Sequence, residues 1–243
     1  MIDKEYFKEL CARAAEDSET KKGIGTYSEK RLHRILKDTV ADKSRQEVAV
    51  GNYVADVLEG GMITEVQTGS FQKYLPKLRY YLGKTDLKIR LVIPIISEKT
   101  LIRIDRETGE VIRKKRSPKR GTYFDGLSSL YPIREILSSD RIEAVFLLIR
   151  AEEYRYSEKM RYRKEGAYIS ELFPLEIVEQ MELTGRNDYR CFLPKQTEFT
   201  AKEYSTFCRI KGRSLYSCLN ILCELGILSR KKEGKAFVYT SVI

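Results

Sequence analysis

The sequence predicts an α/β protein: a mixed sheet flanked by helices, followed by a small C-terminal unit of two helices and a hairpin. Three observations carry that reading. Apolar residues recur at helical spacing between residues 28 and 40 and between 71 and 82. Strand-like runs alternate with these helices, and two of them, 88–96 and 142–151, are almost continuously apolar. From Thr200 on, helix start and stop signals precede a basic hairpin. The expected divisions are a helical extension over 1–22, an α/β domain over 23–180 and the C-terminal unit over 195–243.

A chain of 243 residues is long enough to bury a sizeable core. No run reaches membrane-spanning length, and the first ten residues lack the basic-then-apolar form of a secretory leader, so a cytoplasmic protein without membrane contact is expected. Five cysteines, with no C-x-x-C pair among them, argue against a disulfide framework or a zinc ribbon. The formal net charge of +10 suits a polyanionic partner. Half of that excess lies between Lys195 and Ile243.

Taken in order, residues 6–15 read as a short helix leading into a charged stretch over 16–22. Ser28 caps a second helix whose Leu32, Ile35, Leu36 and Val40 form the inward stripe. Glu29 stands on or beside that stripe, where it either complements the helix dipole or is aimed at the sheet. His33, one turn further on, reads as structural. Residues 46–50 are strand-like, and Gly51-Asn52 turns the chain into the next strand.

That strand opens the most informative stretch of the chain, the hairpin over 53–67. Gly60-Gly61 forms a two-residue turn, because glycine accepts the positive φ angles that tight hairpins need. The register then sets Glu59 opposite Met62, Leu58 opposite Ile63, Asp56 opposite Glu65 and Val54 opposite Gln67. Like charges directly opposite each other destabilise a sheet unless something binds between them. A divalent metal fits, because hard cations take carboxylate oxygens. The alternative is an exposed polar face carrying two unrelated acids.

Residues 71–82 read as a helix despite Pro76, 88–96 as a central strand, 101–105 as a further strand and 142–151 as another. Between the last two, residues 113–120 hold six basic residues in eight. This run reads as a solvated loop, or as a track for a phosphate backbone if it lies beside a metal-bound sheet. Tyr154, Arg155 and Tyr156, with Lys159, Arg161, Tyr162, Arg163 and Lys164, have the composition either of a nucleic-acid contact surface or of an inert surface loop.

Thr200-Ala201-Lys202-Glu203 is a capping box that opens a helix. After a turn over 210–212, residues 213–225 form a second helix with Leu215, Leu219, Leu222 and Leu225 as its stripe, and Gly226 stops it. A hairpin with a basic tip follows. The arrangement resembles a winged helix-turn-helix with 213–225 as recognition helix. The resemblance implies a DNA reader, with Lys211, Arg213, Ser214, Tyr216 and Ser217 near the groove and Arg230, Lys231, Lys232 and Lys235 on phosphates. Protein interaction or dimerisation is the other common use of such a module.

Glu29 on a first helix, Asp56 on a strand and Glu65-Val66-Gln67 on the next, followed by a helix and a strand, resemble the PD-(D/E)XK nuclease superfamily over residues 23–96. The small resolvase-like and restriction-endonuclease-like members are the most similar. The resemblance implies a restriction-endonuclease-like sheet in which Asp56 and Glu65 ligate Mg²⁺ or Mn²⁺ with the Val66 carbonyl. Glu29 would act on the metal or its water. Gln67 stands where the family usually has lysine, and Ala55 stands where it has proline. The implied activity is metal-dependent endonucleolytic hydrolysis of DNA, with no organic cofactor, and a homodimer suits the cutting of two strands. The alternatives are a catalytically inactive nuclease-like protein that binds DNA or regulates, and an assembly factor whose winged helix binds protein.

Overall fold

The computed structural model describes residues 1–20, 28–105, 108–157, 169–234 and 236–242. Along the chain run α1 (Lys4–Thr20), α2 (Ser28–Val40), β1 (Gln46–Val50), β2 (Tyr53–Glu59), β3 (Met62–Val66), α3 (Leu75–Lys84), β4 (Lys88–Asp105) and β5 (Val111–Arg116). They are followed by α4 (Tyr123–Ser129), β6 (Ile142–Ser157), β7 (Ile169–Leu183), β8 (Glu198–Thr200), α5 (Ala201–Cys208), α6 (Gly212–Glu224), β9 (Leu228–Glu233) and β10 (Ala236–Ser241). Seven strands form one sheet in the order β1-β2-β3-β4-β6-β7, with β5 paired to β4. β2 and β3 are antiparallel and β3 and β4 parallel, so the sheet is mixed, as the sequence predicts. No helix among the described residues is long and apolar enough to cross a membrane.

The chain gathers into two compact units, each discontinuous in sequence. One comprises Met1–Gln46, Pro94–Gly121 and Leu147–Gln180; the other comprises Glu47–Ile93, Thr122–Phe146 and Met181–Ile243. The divisions expected over 1–22, 23–180 and 195–243 follow chain order instead.

In the first unit α1 and α2 pack on each other, and Phe7, Cys11, Leu32, Ile35 and Leu36 are buried. α1 continues to Thr20, past the charged residues expected to leave the helix, because residues 12–20 hold no glycine or proline to stop it. Its start is tied to β7: the Ile2 N–H donates to Gln180 Oε1 at 3.1 Å, and Gln180 Nε2 donates back to the Ile2 carbonyl at 3.2 Å. The Arg31 guanidinium of α2 lies 4.0 Å above the Phe173 ring of β7.

β4 is one strand of 18 residues rather than the two expected. Its polar middle does not break it, because those side chains are paired. Ser97 Oγ donates to the Ile149 carbonyl, Glu98 meets Arg120 and Arg150, and Lys99 meets Glu153. Pro94 is tolerated inside β4 for a topological reason. The Gln67 N–H donates to the Val92 carbonyl, so even-numbered residues here turn their backbone groups towards β3, and β3 has ended before Pro94 is reached. The missing N–H therefore removes no ladder bond. Half of the basic run expected as a loop is also strand, since β5 pairs antiparallel with β4 from Arg116↔Thr100 to Val111↔Ile104.

In the second unit Gly60 and Gly61 take φ of 57° and 77°, the paired positive values of a type I′ turn. The pairing is Glu59↔Met62, Leu58↔Ile63 and Val57↔Thr64, the register read from the sequence. Residues 71–82 are not one helix: a 3-10 turn over Phe71–Lys73 leads into α3, and Pro76 sits in the first turn of α3, where no intrahelical donor is required.

α6 packs on α4, and Leu215, Leu219, Leu222 and Leu225 are buried as the helical spacing demands. Gly226, at φ of 64°, ends α6 in a Schellman motif: the Ile227 N–H reaches the Leu222 carbonyl and the Gly226 N–H that of Cys223, both at 2.9 Å. β8, β10 and β9 form a three-stranded antiparallel sheet. The capping box at the start of α5 is complete, with Thr200 Oγ1 accepting from the Glu203 N–H and Glu203 Oε2 accepting from the Thr200 N–H. Thr200→Ala is expected to cost about 1 kcal/mol of unfolding free energy in urea titration, with Thr200→Ser within a few tenths of wild type; an unchanged Thr200→Ala midpoint contradicts this role.

Candidate functional site

The hairpin sets two carboxylates side by side, and the structure then treats them differently. Beyond the Val57↔Thr64 pair, the Asp56 side chain enters the ladder and its Oδ2 accepts from the Val66 N–H at 2.8 Å. Asp56 is half-buried, whereas Glu65 is only 2 % exposed. Glu65 Oε2 accepts from Lys77 Nζ at 2.6 Å, and Lys77 is brought there by the first turns of α3. Glu65 Oε1 is buried with no hydrogen-bond partner.

A neighbour in sequence is in the same state: Gln67 is 4 % exposed, and its Nε2 is buried without an acceptor, although its backbone N–H is held by Val92 at 2.8 Å. Tyr81, one turn beyond Lys77 on α3, is fully buried with its hydroxyl beside the Glu65 carboxyl. Lys77 Nζ lies 5.8 Å from the ring centroids of both Tyr74 and Tyr81. Tyr53 packs on Tyr80 and Tyr81 at centroid distances of 5.3 Å and 6.1 Å, closing an aromatic wall around the acids.

Electrostatics follow from this burial. Desolvation first, and the Asp56 charge second, push the Glu65 carboxyl up to about 7, with Lys77 offsetting only part of the rise. Burial and the nearby Glu65 and Asp56 carboxylates likewise raise Tyr81, so its phenol stays protonated as a donor. The site therefore holds a carboxylate oxygen without a donor, an amide without an acceptor and a second carboxylate alongside. Among the described residues no group of three or more His, Cys, Asp or Glu is gathered to hold a metal. Glu29 falls in the first turn of α2, and its side chain lies outside the described residues.

Sequence reading placed Asp56, Glu65 and Gln67 but missed Lys77 and Tyr81. Their i, i+4 spacing on α3 was visible, yet a cation on a helix reads by default as solvated. Glu47, on the neighbouring strand β1, is exposed.

The second candidate region is the α6 and hairpin surface. Lys211 caps α6, whose first turn has no acidic residue, and Lys211, Arg213 and Tyr216 are exposed. The charges of Lys211 and Arg213 therefore add to the positive end of the helix dipole. Ser214 is half-buried. Ser217, expected on the groove face, is 7 % exposed and belongs to the packed side of α6. Arg230 is tied down, donating to Asn220 Oδ1 at 3.0 Å with its guanidinium 5.5 Å above Phe237. Lys231 and Lys232 are exposed; Lys235 lies outside the described residues, as do Lys159, Arg161, Tyr162, Arg163 and Lys164.

The fold and this site define an α/β protein with a buried glutamate, a half-buried aspartate and a lysine brought together. The chain belongs to the family described as Domain of unknown function (DUF8091), whose model matches residues 30–184. That match takes in Asp56, Glu65, Gln67 and Lys77 and ends before α5 and α6. A protein of Treponema pallidum (strain Nichols), named "Uncharacterized protein", is 27 % identical over 167 residues. The alignment covers 67 % of this chain and 65 % of that relative. No solved structure matches.

In the folded chain Glu65 keeps its proton up to about 7, against an ordinary value of 4.5. Folding therefore takes up a proton in that window, and the Glu65 contribution to stability is greatest below it and falls as pH rises through it. In metal-free buffer, wild type should lose unfolding free energy relative to Glu65→Gln between about pH 5 and about pH 8. A difference that stays flat across that range contradicts the buried-acid assignment.

Proposed function

We propose that the chain is a metal-dependent DNA endonuclease of the PD-(D/E)XK kind, acting in the cytosol, with a C-terminal winged helix that engages DNA or an assembly partner. The observation that carries this reading is the buried, unpartnered Glu65 Oε1 beside Asp56, with the Gln67 amide also unsatisfied. Asp56, Glu65 and the Val66 carbonyl would hold Mg²⁺ or Mn²⁺. Such a cation lowers the pKa of a bound water and neutralises a phosphate.

The chain's own residues supply the rest. Lys77 brings a cation to the acids from α3, so the charge absent at Gln67 arrives from a different element. Gln67 Nε2 has a donor to give to a water or to a phosphate oxygen. Tyr81, held protonated, has a second donor. α6 and the β9–β10 hairpin carry Lys211, Arg213, Tyr216, Lys231 and Lys232 to a phosphate backbone, and a homodimer would pair two sites for two strands.

One observation favours a second reading. The 2.6 Å contact between Lys77 and Glu65 already neutralises the deeper acid, as a protein that binds DNA without cutting it would require. Labelled single-stranded, duplex and branched DNA incubated with Mg²⁺, Mn²⁺ or EDTA separates the two. The nuclease reading expects metal-dependent cleavage, lost by at least two orders of magnitude in Asp56→Ala and Glu65→Ala while DNA affinity stays within a few-fold. Cleavage that survives Asp56→Ala sinks the site, and binding without cleavage in every condition selects the second reading.

A further inference from the structure

The corner between α6 and the β9–β10 hairpin carries aromatic rings as well as charge. Arg213, Tyr216 and Asn220 recur at one-turn spacing on α6, which sets them on one face of the helix. Across the hairpin ladder Phe237 stands opposite Lys232 and Tyr239 opposite Arg230, so these four residues share a face of the sheet. Tyr239 is buried at the inner end of that face, and Arg230, Lys232 and Phe237 are exposed towards the tip. Arg230 joins the two elements. Its Nη1 donates to Asn220 Oδ1 at 3.0 Å, and its guanidinium carbon lies 5.5 Å from the Phe237 ring centroid. Burial raises the Tyr239 phenol, and Arg230 and Tyr216 both lie close enough to bear on its ionisation.

Two features set this corner apart from a reader of duplex grooves. Tyr216 is 53 % exposed and Phe237 45 %. Single apolar side chains scattered over a surface are ordinary, but two rings on one corner with Arg213, Arg230 and Lys232 among them have the make-up of a stacking platform. Groups that read base edges are also few. Ser217 is buried, Ser214 is half-buried, and Asn220 Oδ1 accepts from Arg230. α6 and the hairpin contain two acids. Glu224 ends the α6 row one turn beyond Asn220, and Glu233 lies on the opposite face of the hairpin, where it meets Lys231 at 3.9 Å.

We propose that this corner binds an unpaired DNA strand, with bases stacked on Tyr216 and Phe237 and phosphates against Arg213 and Lys232. Arg230 backs the Phe237 ring from within the corner. The proposal rests on the reading of the chain as a DNA-processing protein and narrows the substrate of its C-terminal unit to DNA with a single-stranded segment. A duplex keeps its base faces inside its own stack, so exposed rings gain nothing from them. An unpaired strand offers base faces and phosphates together, and every base has a face on which a ring can stack. An acidic peptide meets the cations but brings no flat apolar face to either ring.

The test compares a labelled single strand of mixed sequence, about 15 nucleotides long, with the blunt duplex of the same sequence. Affinities are measured in EDTA at one salt concentration by fluorescence anisotropy, with folding checked by circular dichroism. Wild type is expected to bind the single strand about tenfold more tightly than the duplex. Tyr216→Leu and Phe237→Leu, which stay apolar but lose the ring, should each weaken single-strand binding about tenfold and duplex binding by no more than about twofold. Phe237→Tyr, which keeps a ring, should bind the single strand as wild type does. Duplex bound as tightly as the single strand, or ring variants that leave single-strand affinity unchanged, overturn this site and leave the DNA-processing reading standing, because DNA is still held. Wild type that binds neither form of DNA overturns both. Tighter binding to poly-glutamate, or to RNA of the same sequence, than to the DNA single strand at equal salt also overturns the proposal.

Discussion

The structure turns on one constraint: a glutamate carboxylate is held almost wholly out of water. An ionised acid in the interior must be paired and hydrogen-bonded, or it takes up a proton. Lys77 answers one oxygen of Glu65, and the other has no partner. Asp56, the nearest acid, has Oδ2 engaged by the Val66 N–H and adds its charge to the burden. The Glu65 carboxyl is therefore poised between its protonated and ionised states near neutral pH. A purely structural acid pair would be expected to finish its hydrogen bonds within the protein.

Everything that positions Glu65 is local and simple. Two glycines at positive φ set a hairpin register in which a slip of one residue would move the acids to opposite faces. Parallel pairing with β4 then fixes Val66 beside Val92 and draws in Gln67 through its N–H. Pro76 opens α3 soon after a 3-10 turn, so Lys77 and Tyr81 follow at one-turn spacing towards the acids. The C-terminal helices owe their placement to equally local signals, a capping box at Thr200 and a Schellman stop at Gly226. Basic side chains are left on the surfaces those signals expose.

Much of this was legible in the sequence because it rests on short-range rules. The Gly60-Gly61 turn, the hairpin register from Glu59↔Met62 to Val57↔Thr64, the α2 stripe and the α5 cap all follow from spacing and turn chemistry. What was not legible depended on pairing at a distance. β4 stays extended through Ser97, Glu98 and Lys99 only because β6 and the segment after β5 supply their partners. Residues 113–116 become strand because β4 offers a ladder. Lys77 and Tyr81 join the site because α3 folds back on the hairpin, and Ser217 belongs to the buried side of α6. Charge patterning read residues 113–120 as a loop, and the winged-helix resemblance set Ser217 near a groove.

The central claim is that the Asp56 and Glu65 carboxylates form a cation site. Calorimetric titration of Mn²⁺ into metal-free protein below pH 7, repeated in buffers of different ionisation enthalpy, tests it most directly. The account predicts binding accompanied by proton release, because the cation must displace the proton that burial holds on Glu65. It also predicts that Glu65→Gln loses both the proton release and most of the affinity. Binding that is absent in wild type, or that persists unchanged in Glu65→Gln, would contradict it.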